Sequence, residues 1–270
     1  MKIGRFEFEG RAFYGMIEGA TVREMEGYAL FDTSARLGAR LKLKDLKFLP
    51  PLDPPNVICI GLNYKLHAVE TSENPPTRPE IFLKLTTSVT AHGATVALPA
   101  IASDEIDCEA ELCVIIGEAA KDVLEDEAMK HVFGYCCGND ISARDCQTRL
   151  DKQWARGKSM DGFCPLGPWI ETDLDPSALK IEGMLNGQVK QKASTKDMIF
   201  SVPRIISYLS HNFTILPGTV IMTGTPGGVG FARRPPIFMR PGDVYEVSIE
   251  GIGRLSNRFA ASTFADPEIS

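Results

Sequence analysis

The sequence predicts an α+β fold that is mostly β. Three observations carry this. Short apolar or alternating runs recur along the chain, turn signals such as Asn186-Gly187 and Pro217-Gly218 separate them, and only two segments have clear helical spacing. Strands and helices do not alternate regularly, which argues against a doubly wound parallel sheet.

Taken in order, residues 1–48 read as short strands and turns that end in the charged segment 41–48. Pro50, Pro51, Pro54 and Pro55 follow, and such a cluster continues neither a helix nor a central strand, so it reads as a stiff connector. The expected organisation is a small N-terminal lobe over 1–52 and a main domain over 53–270. Within the main domain, Val57–Ile60 is a fully apolar strand candidate, and 81–89 is another. Residues 106–116 alternate and then run apolar, and a further strand surrounds Met222. Asn186-Gly187 predicts a primed-turn hairpin between 181–185 and 189–192. Residues 244–249 and 254–259 predict a closing hairpin. Helical spacing is expected over 121–131 and 202–211, the latter with Pro203 in its first turn.

Bulk properties exclude several classes of function. A net charge of −6 and a pI near 5.4 are wrong for a nucleic-acid-binding face. No apolar run approaches a membrane span, and the alternating N-terminus does not resemble a signal peptide. Seven cysteines, with no CxxC pair and mostly within apolar runs, fit small buried hydrophobes in a reducing compartment, so cytoplasm is the expected location.

The stretch Asp107-Cys108-Glu109-Ala110-Glu111-Leu112 carries the chemistry. On a strand, Asp107, Glu109 and Glu111 share one face. Like charges so placed repel, and a hard divalent cation relieves them. An acidic face that protects an edge strand satisfies the same pattern, and local sequence leaves both open. Asp140 follows the apolar run 133–138, where it suits either a ligand or a helix cap. Arg144 and Gln147 fall near it at helical spacing, and a planar guanidinium there suits a carboxylate.

Six motifs in order resemble the fumarylacetoacetate hydrolase family, in particular its short branch of acylpyruvate hydrolases and oxaloacetate decarboxylases. They are Gly61-Leu62-Asn63-Tyr64 with His67 and Glu70; Phe82-Leu83-Lys84; the acidic stretch from Asp107; Asn139-Asp140-Ile141-Ser142-Ala143-Arg144-Asp145; Gly157-Lys158-Ser159; and Thr223-Gly224-Thr225-Pro226-Gly227-Gly228-Val229-Gly230. The resemblance implies a mixed β-roll or barrel main domain. It implies that Glu109, Glu111 and Asp140 bind Mg2+ or Mn2+, that Lys158 is the active-site lysine, and that Arg144, Gln147, Thr225, Tyr64 and Lys84 contact substrate. Asp107 falls where the family less regularly uses a ligand. Longer members place a fourth carboxylate near the position of Asn63, so the chain is similar to the three-ligand branch.

Should the segment around His67 be helical, Glu70 meets His67 on one face and orients it as a base that activates water. Residues 65–76 would then form a lid. Trp154, near Lys158 in sequence, is placed to pack or line the pocket; His92, His131 and His211 match no motif.

The expected activity is metal-dependent hydrolysis of a C–C bond in a β-diketo acid such as an acylpyruvate or fumarylpyruvate, with release of pyruvate. Oxaloacetate decarboxylation and isomerisation of an unsaturated 2-oxo or 2-hydroxy dioic acid are the alternative reactions. A metal-dependent oxo-acid binding protein is the non-enzymatic alternative. A small 2-oxo acid is the expected partner, and the resemblance implies a homodimer through the β-rich domain.

Overall fold

The protein is described by a computed structural model covering residues 1–26, 30–31, 36–99 and 103–262. Three sheets organise the described residues. The largest runs Arg36–Lys42, Thr21–Glu26, Arg11–Glu18, Lys2–Phe8, Cys164–Glu171, Val132–Asn139, Ala110–Ile116, Val220–Met222, Val57–Gly61 and Glu80–Lys84. Its order is open from end to end rather than closed into a barrel. A five-stranded sheet contains Gln188–Ser194, Lys180–Leu185, Val244–Ile249, Gly253–Ala261 and Thr95–Leu98. A two-stranded ladder joins Ile106–Asp107 to Ser142–Ala143. Antiparallel pairing dominates, with a parallel pair where Val220–Met222 meets Val57–Gly61. The expected mostly β, α+β class holds.

The N-terminal strands continue the main sheet, because Lys2 and Ile3 register against Glu171 and Ile170. The central strand Ala110–Ile116 is buried along its whole length. Leu112, Val114 and Ile116 pack into a core with Ile181, Val247 and Leu255 of the smaller sheet and Ile205 and Leu209 of the helix Val202–Asn212. Cys113 and Ile115, on the other face, pack with Cys136, Cys164, Leu166 and Met222. All seven cysteines are buried and none forms a disulfide, as suits small hydrophobes. Among the described residues no helix is long and apolar enough to cross a membrane.

Both hairpins signalled by turn residues form, Lys180–Leu185 with Gln188–Ser194 and Val244–Ile249 with Gly253–Ala261. The helix Val202–Asn212 forms with Ser201 as its cap and Pro203 in the first turn. The helix expected over 121–131 does not. Only the 3-10 turn Ala128–His131 is present, because Asp122 adopts φ 53 and its N–H bonds Ser210 O instead of a helical carbonyl. The strand expected over 81–89 stops at Lys84, where Leu85 N–H turns to Ser159 Oγ. The run 106–116 is also broken. Cys108 N–H donates to Asp107 Oδ1 and Glu109 N–H to Asn139 Oδ1, so side chains replace the strand ladder for those two residues.

Candidate active site

The break in that run and the end of Val132–Asn139 bring the acidic residues together. Asp140 N–H donates to Glu109 O at 2.9 Å, which ties the two segments. Glu109, Glu111 and Asp140, all buried, each offer a carboxylate oxygen within 4.8 Å of the others. Asp140 does not cap the following helical turn; Asp145 accepts from Cys146 N–H and does so.

Lys158, at the end of the short helix Ala155–Lys158, bridges two of the three: its Nζ lies 2.9 Å from Glu109 Oε2 and 2.7 Å from Asp140 Oδ2. Lys84 donates to Asp140 Oδ1 at 2.5 Å and to Ile141 O at 3.2 Å. Arg144 reaches Glu109 Oε1 at 2.7 Å and Asp107 Oδ2 at 2.8 Å. Glu111 differs, for it accepts the Gly224 N–H at 2.7 Å and none of these ion pairs reaches it. Gly224 holds φ +97, and a Cβ there would fall 2.7 Å from Asn63 Cβ, so the close approach needs glycine.

The electrostatics follow from these contacts. Burial, with Asp140 and Glu109 adding repulsion, pushes the Glu111 carboxyl well above its ordinary value despite the Gly224 N–H. Burial works the same way on Glu109, but Lys158, Arg144 and His67 outweigh it and hold that carboxyl low. Burial would lower Lys158; Asp140 and Glu109 overcome it and raise it. Four buried carboxylates, counting Asp107, face three buried cations, Lys84, Arg144 and Lys158. A cluster short of one positive charge, with three converging hard oxygen donors, fits a divalent ion such as Mg2+ or Mn2+.

A cavity of about 380 Å³ opens above the carboxylates. Glu109, Glu111, Arg144, Gln147, Lys158, His67 and Thr225 line it, with Ile60, Phe82 and Trp154 as an apolar wall. The segment around His67 is helical, Lys65–Glu70, and His67 Nδ1 lies 2.7 Å from Glu70 Oε1. Glu70 Oε2 in turn accepts the Gly228 N–H at 2.7 Å, so the glycine-rich loop braces the pair. With Nδ1 on Glu70, Nε2 is the nitrogen left for a ligand.

Two expected substrate contacts lie elsewhere. Lys84 is absent from the cavity wall, and its ammonium is engaged by Asp140 Oδ1 and Ile141 O. Tyr64 is buried with its hydroxyl unpartnered among the described residues and does not line the cavity. Thr225 is at the wall, but its hydroxyl donates to Ala110 O and accepts from Gln191 Nε2, so its proton serves the fold. Asn63, at the position of the longer members' fourth carboxylate, uses its amide to tie Phe200 and Thr223. Gln191 was not singled out by any motif. It is buried and joins Ala110 N–H to Thr225 and Pro226, and its place on a hairpin strand carries no sequence signal. Phe231 could have been suspected, since it directly follows the glycine-rich loop.

The sequence model described as fumarylacetoacetate (FAA) hydrolase C-terminal matches residues 56–260, and one described as Rv2993c-like, N-terminal, matches residues 1–51. Protein Rv2993c of Mycobacterium tuberculosis is 41% identical over 95% of this chain and 97% of that protein. The oxaloacetate tautomerase YisK of Bacillus subtilis is 42% identical over 80% of this chain and 74% of that protein. The crystal structure of a 2-hydroxyhepta-2,4-diene-1,7-dioate isomerase from Mycobacterium marinum superposes with a TM-score of 0.87, at 38% identity, over 98% of this chain and 100% of the other. With the family's domain spanning most of its length and the acidic cluster in place, the chain belongs to the fumarylacetoacetate hydrolase family.

Proposed function

We propose that the protein is a divalent-metal-dependent enzyme that moves a proton next to the ketone of a 2-oxo acid of the oxaloacetate class, interconverting keto and enol forms. The observation that carries this reading is an imidazole, His67, on the wall of a cavity that Glu109 and Glu111 of the carboxylate cluster also line. The relatives named for oxaloacetate tautomerisation and for dienedioate isomerisation support it, since both reactions relocate a proton beside a 2-oxo or 2-hydroxy carboxylate.

Glu109, Glu111 and Asp140 would hold the ion, which supplies Lewis-acid stabilisation for negative charge on the 2-oxo oxygen. Glu70 holds His67 Nδ1 so that Nε2 takes the proton from carbon and returns it. Lys158 keeps a fixed positive charge beside Glu109 and Asp140 where negative charge develops. Arg144 and Gln147 receive a substrate carboxylate, and Phe82 and Trp154 exclude water from one side.

Hydrolysis of an acylpyruvate is the second reading, and the His67–Glu70 pair favours it because the same base would activate water. The maintained dyad also speaks against a protein that only binds oxo acids. The test follows loss of enol-oxaloacetate by ultraviolet absorbance in Mg2+, then in EDTA, beside pyruvate release from acetylpyruvate. Accelerated enol loss that EDTA abolishes is expected. A rate equal to buffer, with pyruvate released from acetylpyruvate, would refute proton transfer as the activity. The homodimer finds support in the edge strand Glu80–Lys84, where Ile81 and Leu83, with Leu85 just beyond, turn apolar side chains outward. Light scattering checks it.

A further inference from the structure

Asp107 is the acidic residue of the 107–111 stretch that stands apart from the metal-ligand cluster, and its surroundings say what it does. It is 1% exposed. Oδ1 accepts the N–H groups of Cys108 at 2.8 Å and Gly230 at 2.9 Å. Oδ2 accepts the Phe231 N–H at 3.0 Å together with Arg144 Nε at 3.0 Å and Nη2 at 2.8 Å. Five donors saturate its roughly four lone-pair positions, so no oxygen is left for a cation. Gly230 is required for this grip, because a Cβ there would collide with Ile237 O and Asp107 Oδ1.

Arg144 is held on every side. Besides Asp107, Nη2 meets Glu109 Oε1, Nη1 donates to Gln147 Oε1 at 2.9 Å, and the Phe231 ring covers the guanidinium at 4.2 Å. Among the described residues, these contacts engage four of the five N–H donors a guanidinium carries. One Nη1 N–H remains, and Arg144 and Gln147 both line the cavity.

We propose that Asp107 is a positioning residue for substrate recognition: it orients Arg144 so that a single N–H is offered to a substrate carboxylate, and it joins the glycine-rich loop to that guanidinium as one unit. The proposal rests on the reading of Arg144 as a substrate contact. It makes the Arg144 contact one-pronged rather than bidentate, with Gln147 the neighbouring polar group on the carboxylate.

The test compares Asp107→Asn, Asp107→Glu, Arg144→Lys and the Asp107→Asn/Arg144→Lys double variant. The readouts are oxalate affinity by calorimetry in Mg2+, KM and kcat for enol-oxaloacetate, and Mn2+ affinity by electron paramagnetic resonance. Asp107→Asn and Arg144→Lys should each weaken oxalate and raise KM by about tenfold or more, with Mn2+ affinity kept within about twofold. In the double variant the two effects should be far from additive. Unchanged oxalate affinity in Asp107→Asn, with Arg144→Lys weakened, overturns the proposal and leaves Asp107 structural. A loss of Mn2+ affinity in Asp107→Asn overturns it in favour of a metal ligand. Wild-type KM in Arg144→Lys instead sinks the reading of Arg144 itself. Should Asp107→Asn fail to fold, Asp107→Glu decides, since it keeps the negative charge but displaces the oxygens that hold Arg144. Weakened oxalate with normal Mn2+ binding supports the proposal, and unchanged oxalate refutes it.

Discussion

Glu111→Gln separates a metal site from an acidic cluster of no consequence. The amide is close to isosteric, and its oxygen can still accept the Gly224 N–H. It removes the one carboxylate of the three that has no ion-pair partner among those described. In the metal-free protein, a charge on Glu111 within 4.8 Å of the other two would be repelled by about 3–4 kcal/mol per pair at an effective dielectric of 20. Burial and this repulsion together push its carboxyl up. Neutralising Glu111 therefore leaves the metal-free protein at least as stable as wild type. With the ion the sign reverses. Mg2+ at 100 times its dissociation constant stabilises by about 2.7 kcal/mol, roughly 5–10 °C in Tm for a chain of this size. If losing an anionic ligand weakens binding about 100-fold, the same Mg2+ contributes only about 0.4 kcal/mol, roughly 1 °C. Differential scanning calorimetry of both proteins in EDTA and in Mg2+ reads all four values. An equal Mg2+-dependent rise in wild type and Glu111→Gln would refute the assignment of Glu111. No rise in wild type would remove the metal from the site altogether.

Three further outcomes follow from the same geometry. His67→Ala should lower kcat by about 10²–10⁴-fold and leave oxalate affinity in Mg2+ unchanged; a variant with full turnover would show that another group carries the proton. Lys158→Met uncovers Glu109 and Asp140, and should destabilise the metal-free protein by about 3–5 kcal/mol in urea titration, with Mg2+ restoring part of the loss. Equal stability in EDTA would mean the carboxylates need no internal cation. His92 is depressed below its ordinary value of 6.5, mainly by burial, and its Nδ1 accepts the Ser256 N–H while its ring packs on Phe48. The unfolded chain takes up that proton first, so the stability His92 contributes is complete above pH 6.5 and falls as pH drops below it. His92→Gln should flatten this part of the urea-stability profile between pH 7.5 and 5.5, and a slope equal to wild type would exclude His92 as its source.

Much of this protein was legible in its residue pattern. Alternation and turn residues placed both hairpins of the smaller sheet, Pro203 marked the first turn of the helix Val202–Asn212, and the order of motifs marked the residues that surround the cavity. Those signals are local: they depend on periods of two and 3.6 and on backbone preferences of single residues. Where a segment's partners lay far along the chain, local spacing misled. Residues 121–131 have helical spacing, but Ser210 takes the Asp122 N–H. Asp107 reads like Glu109 and Glu111 along a strand, yet Asn139, more than thirty residues away, interrupts that strand and turns Asp107 to Arg144. The motifs give Lys158 as the active-site lysine and Lys84 as a substrate contact, and only the packing puts Lys158 at the cavity wall while Lys84 is spent on the other oxygen of Asp140. Residue types thus determined which chemistry was available, while tertiary structure decided which oxygens converge and which are already satisfied. Convergence depends on contacts between distant segments, and no single stretch of chain encodes it.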